Sequence, residues 1–398
     1  MTRALRNTPA DQRSRADQSY SGAISRRGLL TGAAVITGAA LWDSRPTLAR
    51  QVAPNRQTVD TAKENQMSTP DTTTEAHANT RPANAKDLPD YAPIPRAALG
   101  PALNEQGYYV GRVERNLYWV TDGTYQSAFL TTPDGVVVLD APPTIGHNIQ
   151  RAIDEIASAN GETSKVTHLI YSHHHADHAG ASSLFDKNVA RIGHEDTRRL
   201  LLREKDPARP APEETFGDRR TVEIGGERIE LAWHDTNHSP DNIFIHLPDH
   251  DTLMLVDIVN PGWAPVYQSN LTEDVQGYIA APETALGYSW KHFIGGHMGR
   301  LGAREDITLH QQYMADVVAS SRMALDTVDP TPYFMKYGEN SWAAVRGYLD
   351  AVTAAAATPV IEKYTGVLAA TDVFTASTTF HVMQSLRLDL GYASQVHP

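Results

Sequence analysis

The chain of 398 residues contains no cysteine. Disulfides, thiolate nucleophiles and sulfur-ligated zinc are excluded together, so any metal must be held by nitrogen and oxygen. Basic charge is not in surplus either: 35 Lys+Arg against 47 Asp+Glu give a net −12 with histidine neutral. That balance opposes binding to a phosphate backbone and says little about small substrates. The uncharged run from Gly28 to Leu41 is too short, and too rich in Gly, Ala and Thr, to serve as a stable membrane anchor. No Gly-x-Ser-x-Gly elbow and no internal repeat is present.

The amino-terminal segment reads as a transport address rather than a domain. Ser25-Arg-Arg-Gly-Leu-Leu30, the uncharged run and Thr47-Leu-Ala49 resemble a twin-arginine signal peptide spanning residues 1–49. The expected partner is the twin-arginine translocase, and the expected location is periplasmic or secreted. Residues 1–49 carry seven basic and three acidic side chains, which leaves −16 on residues 50–398. Residues 50–90 are rich in Thr, Asn, Ala, Asp and Pro with few large apolar residues, and read as a disordered linker or arm.

What the chain does have is histidine in one dense cluster. Tyr171-Ser-His-His-His-Ala-Asp-His-Ala-Gly180 follows Val166-Thr-His-Leu-Ile170, an apolar run expected to be a buried strand. His173, His175 and Asp177 are spaced by two, so a nearly extended loop would turn all three to one point. His178 would then face away from Asp177, toward a second metal.

The same grammar, a strand-like run closed by a ligand-type residue, recurs elsewhere along the chain. Gly135-Val-Val-Val-Leu-Asp-Ala-Pro142 ends on Asp140, Asn237-His-Ser-Pro-Asp-Asn242 contains His238, Leu253-Met-Leu-Val-Asp257 ends on Asp257, and Phe293-Ile-Gly-Gly-His297 ends on His297. Strands are expected near 108–113, 117–120, 127–131, 136–139, 189–192, 220–224, 228–233, 243–247 and 252–256. Helices are expected over 145–159, 180–185, 195–205, 305–328, 341–357 and 360–370. Asp206 to Gly217, with three prolines, should be a surface loop. His168, His234, His246, His250, His292, His310 and His381 fit packing or surface roles.

Taken together, these motifs resemble the metallo-β-lactamase superfamily from about Tyr108 to Gly302. The resemblance implies an α+β fold, a four-layer αββα sandwich over 91–302, with residues 303–398 as a mainly helical C-terminal extension packed on it. It implies two Zn2+ or other divalent ions. His173, His175 and His238 would hold the first, and Asp177, His178 and His297 the second, with Asp257 bridging and Asp140 structural beside them. Asn237 and Asp241 stand where the superfamily usually has glycine.

The implied activity is hydrolysis of a carboxylic ester or lactone by a hydroxide held between the metals, with Asp177 as the catalytic proton acceptor. β-Lactam or amide cleavage is the runner-up. A mononuclear iron dioxygenase of sulfur compounds and a phosphodiesterase are more distant alternatives. A small-molecule substrate is expected to meet Trp263, Tyr267 and the 206–217 loop.

Overall fold

Apolar runs without polar alternation become strands covered on both faces. The structure, a computed structural model, describes residues 88–392; the expected signal segment and nearly all of the expected arm lie outside them. Seven strands form the first sheet in sequence order: β1 (Tyr109–Glu114), β2 (Leu117–Thr121), β3 (Gln126–Thr132), β4 (Gly135–Leu139), β5 (Val166–Ile170), β6 (Ala190–His194) and β7 (Glu214–Phe216). β1 to β4 are an antiparallel meander, whereas β4 through β7 run parallel. The second sheet has the order β12-β11-β10-β9-β8. Its strands are β8 (Arg219–Ile224), β9 (Glu227–Ala232), β10 (Phe244–Leu247), β11 (Thr252–Met254) and β12 (His292–Ile294). β11 and β12 are parallel, and the Gly225-Gly226 hairpin joins β8 to β9.

Period-two geometry sorts these buried residues into three cores. Val137 and Leu139 of β4 point between the sheets with Ile245, Met254 and Ile294 of the second sheet. Val136 and Val138 point the other way, onto Ile149, Ala152 and Ile153 of α1 (Asn148–Asn160). Phe244, Leu253 and Phe293 form the outer face of the second sheet and meet the helices that follow. The result is a helix–sheet–sheet–helix sandwich.

The outer helical layer is α5 (Val275–Leu286), α6 (Arg304–Thr327), α7 (Thr331–Tyr337), α8 (Ser341–Tyr364) and α9 (Thr371–Leu388). Ile307 and Val317 of α6, Val352 and Val360 of α8 and Val382 of α9 all join the Phe244–Phe293 core. Tyr364 is buried there too, while Tyr337 and Trp342 stay exposed. Among the described residues, no helix is long and apolar enough to cross a membrane.

Several expected boundaries are corrected. The helix expected to stop at 357 continues through Pro359 to Tyr364, because Val360 and Tyr364 are needed in the core. The helix expected over 360–370 is therefore the end of α8, and α7 and α9 were not anticipated. The 206–217 loop ends in β7, which extends the first sheet by parallel pairing with β6. The helix expected over 180–185 is a single 3-10 turn, Ser182–Leu184.

Candidate metal centre

Parallel pairing places strand ends side by side, and the ligand-type residues lie just past those ends. His173 and His175 follow β5. Asp177 and His178 lie on α2 (Ala176–Ala179), a single helical turn. His238 lies in the β9–β10 loop, Asp257 follows β11 and His297 follows β12. Gly296 is required for the last of these. It has φ +84, and a Cβ there would come within 2.5 Å of Val256 Cγ1 and 3.2 Å of His178 Cε1.

Two groups result. His173, His175, His238 and Asp257 form one, and Asp177, His178 and His297 the other; within each group the ligand atoms lie within 4.8 Å of one another. Asp257 faces both groups. Its Oδ2 is 3.4 Å from His173 Nε2, 3.2 Å from His238 Nε2 and 3.2 Å from His178 Nε2, while Oδ1 is 2.7 Å from His297 Nε2. The expected loop geometry is corrected here. Asp177 and His178 do not face apart: the Asp177 carboxylate is 3.6 Å from His178 Nε2 and 3.7 Å from His297 Nε2. A helical turn, unlike an extended loop, brings adjacent side chains within reach of one point.

The donor set fits a metal. His173 Nε2 is buried and aimed into the cluster without a hydrogen-bond partner. His175 Nδ1 meets His238 Nε2 at 3.0 Å, and His178 Nε2 meets His297 Nε2 at 3.0 Å. Opposed ring nitrogens can satisfy each other only by sharing a proton, whereas a cation between them uses both lone pairs.

Electrostatics divide the histidines in the metal-free chain. Burial holds His173 well below the usual imidazole range and His238 down to about 4. Burial also lowers His175, assisted by His174. Burial opposes charge on His178 as well, but the carboxylates of Asp257, Asp177 and Asp140 overcome it and raise the group to about 9. Asp257 is driven well below the carboxylate range: burial works the other way, and His178, His297 and His238 outweigh it.

Supporting residues lock the loops. Asp140, pushed up to about 6 by burial, accepts the Ser172 N–H at 2.7 Å and lies 3.9 Å from His178 Nδ1. The two residues that replace glycine have structural roles. Asn237 Oδ1 accepts from the His238 N–H at 2.7 Å and from Asn242 Nδ2 at 2.9 Å. Asp241 is buried and takes His174 Nδ1, the Thr197 hydroxyl and the Ser239 hydroxyl, each at 2.8 Å. His174 is thus turned away from the cluster. His234 contacts Tyr288 and Phe244, away from the ligands.

A cavity of about 600 Å³ opens over Asp177, Asp257 and His297. Tyr267 lines it, and the 206–217 loop reaches it through Arg209. Trp263 does not; its indole N–H donates to the Ala98 carbonyl at 3.2 Å, which turns the ring away. Sequence reasoning missed Tyr125, whose ring centroid is 4.7 Å from that of His297, and also Asn270, Leu271 and Met298, which line the same cavity. Nothing in the spacing around Tyr125 marks it, since it precedes β3 in an ordinary turn.

The chain resembles several known proteins. Residues 120–262 match the family model described as the metallo-beta-lactamase superfamily. The chain is 27% identical over 219 residues, 54% of its length, to 2,4-dinitroanisole O-demethylase subunit alpha of Nocardioides sp. (strain JS1661), of which it spans 63%. It is 30% identical over 66 residues, 17% of its length, to the probable metallo-hydrolase YqjP of Bacillus subtilis (strain 168), and spans 21% of that protein. A metallo-beta-lactamase from Pontibacter korlensis aligns with TM-score 0.44 and 18% identity, covering 52% of this chain and 97% of that one. By its family-model match and its paired sheets with ligand loops along one edge, the described chain has the metallo-β-lactamase fold and carries a His/Asp cluster able to hold metal ions.

Proposed function

We propose that the protein is a dinuclear zinc hydrolase that cleaves a carboxylic ester or lactone in a small-molecule substrate. The observation that carries this reading is Asp257: one carboxylate shared by two histidine groups, at the floor of an open cavity. His173, His175 and His238 would hold one ion and Asp177, His178 and His297 the other, with Asp257 common to both. When bound, the metals would supply Lewis acidity and a water acidic enough to act as nucleophile at neutral pH. The chain's own part is to orient and to move a proton. The Asp177 carboxylate is two-fifths exposed and borders the cavity, so it can accept the proton of the attacking water and return it to the leaving oxygen. The Tyr125 phenol, raised by burial and by Asp177 and Asp257, stays protonated at neutral pH and borders the same cavity as a hydrogen-bond donor.

A hydrolysis panel of aryl esters, lactones, penicillins and carbapenems with zinc-loaded protein tests this. Turnover of esters or lactones is expected; turnover confined to the β-lactams would replace the reading with its runner-up. A second reading comes from the relative named as a 2,4-dinitroanisole O-demethylase subunit. An aryl methyl ether that releases a weakly basic phenolate resembles an activated aryl ester in its leaving group, so 2,4-dinitroanisole belongs in the panel.

Export by the twin-arginine route completes the proposal. Replacing Arg26 and Arg27 with lysine is expected to keep the protein in the cytoplasm, and normal periplasmic accumulation of that variant would contradict it.

A further inference from the structure

The walls of the cavity differ in chemistry. Ligand side chains and Asp177 give part of the lining its polar character, while Val266, Tyr267, Leu271 and Met298 add apolar surface. Tyr267 is 59% exposed and Leu271 64%. They do not serve the core, and they stand beside the metal ligands.

The backbone that presents them is unusual. α4 (Tyr267–Leu271) is a left-handed turn: Gln268, Ser269, Asn270 and Leu271 have φ of 49, 57, 58 and 57°. None is glycine, and each suffers the crowding of Cβ against the carbonyl that makes this conformation rare. Such a turn persists only where its surroundings determine it. Here α9 and Asn270 do so. The Gln268 N–H donates to Ser377 Oγ at 3.0 Å, the Gln268 carbonyl meets His381 Nδ1 at 2.7 Å, and Tyr267 packs edge-on against Phe374 with centroids 4.9 Å apart. Asn270 Oδ1 accepts the Val266 N–H at 2.7 Å, and its Nδ2 donates to the Asp257 carbonyl at 3.0 Å. One side chain therefore ties the apolar wall to the residue shared by both ligand groups.

Charge in the cavity points the same way. Arg209 is the guanidinium in the lining, and it is already engaged. It pairs with Glu204 and Asp206, each at 2.9 Å, and donates to the His174 carbonyl at 2.7 Å. A substrate carboxylate distant from the metals would find no uncommitted cation in this lining and would meet Asp177 and Glu204. An apolar group would find Tyr267 and Leu271, and would cover them.

We propose that the left-handed α4 turn is the substrate-recognition element of the cavity. It selects neutral substrates whose aryl or alkyl group packs on Tyr267 and Leu271, against substrates with the same reacting group that carry a carboxylate distant from the metals. The identity of the reacting group rests on the hydrolase reading; the selection for a neutral apolar group does not.

Two matched pairs test this on the purified full chain. The first, read by calorimetry without any reaction, is 1-phenylhexan-1-one against 6-oxo-6-phenylhexanoate, in which a carboxylate replaces the terminal methyl. The second, read as kcat/KM, is 4-nitrophenyl hexanoate against mono(4-nitrophenyl) adipate. The neutral member should be favoured at least about tenfold in each pair, the scale set by desolvating an unpaired charge. Leu271→Lys should shift each ratio toward the carboxylate by about tenfold, and Tyr267→Ala should weaken the neutral ketone several-fold with metal content unchanged. Equal binding of both ketones, with a ratio that Leu271→Lys leaves unmoved, would overturn the proposal. Discrimination between the ketones with no turnover of either ester would support the recognition element and remove the hydrolase reading instead.

Discussion

Replacing Asp257 with asparagine is expected to abolish turnover and to deplete metal from both histidine groups. The exchange keeps shape and removes charge, so it isolates the carboxylate. Oδ2 stands within 3.4 Å of three imidazole nitrogens and Oδ1 at 2.7 Å from a fourth. A carboxamide would present an N–H2 group to some of these nitrogens and a weaker neutral donor to any ion. Removing a residue that merely orients a ligand costs about 10–100-fold in metal affinity; loss of a shared ligand should exceed the upper end of that range. Elemental analysis and kcat/KM on an aryl ester read the result. Full metal content and an undiminished rate in Asp257→Asn would mean that the two groups do not depend on this residue.

Phe293→Ala should be among the most destabilising single changes in the chain. Phe293 is fully buried, lies 5.7 Å from Trp290 between ring centroids, and belongs to the core shared by the second sheet and the C-terminal helices. Truncation there costs about 3–5 kcal/mol, because the cavity adds to the lost transfer energy. It would also loosen β12, whose end leads through Gly296 to His297, so weaker metal retention should accompany the loss. Trp342→Ala is the control: this larger ring is 82% exposed, and its removal should change stability by no more than about 0.5 kcal/mol. Denaturant unfolding of both variants decides it, and similar small effects would show that the helices and the sheet are not energetically joined.

The parts of the fold legible in the sequence were those where one physical signal dominates. Val136-Val-Val-Leu139 and Phe293-Ile294 are uninterrupted because both faces of their strands are covered, so the polar residues that follow them, Asp140 and His297, stand out. The αββα order could be read through resemblance for the same reason. Four-residue elements carry no period, and α2 was therefore read as extended, with Asp177 and His178 placed on opposite sides. The helix expected to end at 357 runs on through Pro359, because burial of Val360 and Tyr364 outweighs one missing backbone hydrogen bond. The place of Tyr267 in the cavity lining depends on the left-handed α4 turn. That turn is imposed by Ser377, His381 and Asn270, contacts that no local pattern announces.

The central claim is that two metal ions share Asp257, and zinc titration of the metal-free chain by calorimetry tests it most directly. The titration is run at pH 7 in two buffers of different ionisation enthalpy, so that stoichiometry and proton release are read together. His173, His175 and His238 are depressed and already neutral at that pH, and binding at their group displaces no proton from them. His178 is raised to about 9, hence protonated at pH 7 without metal, and must give up its proton to become a ligand. The expected result is two zinc ions per chain, with protons released as the His178 group fills and affinity for that ion rising with pH. A single ion per chain, or two bound with no proton released, would contradict the account.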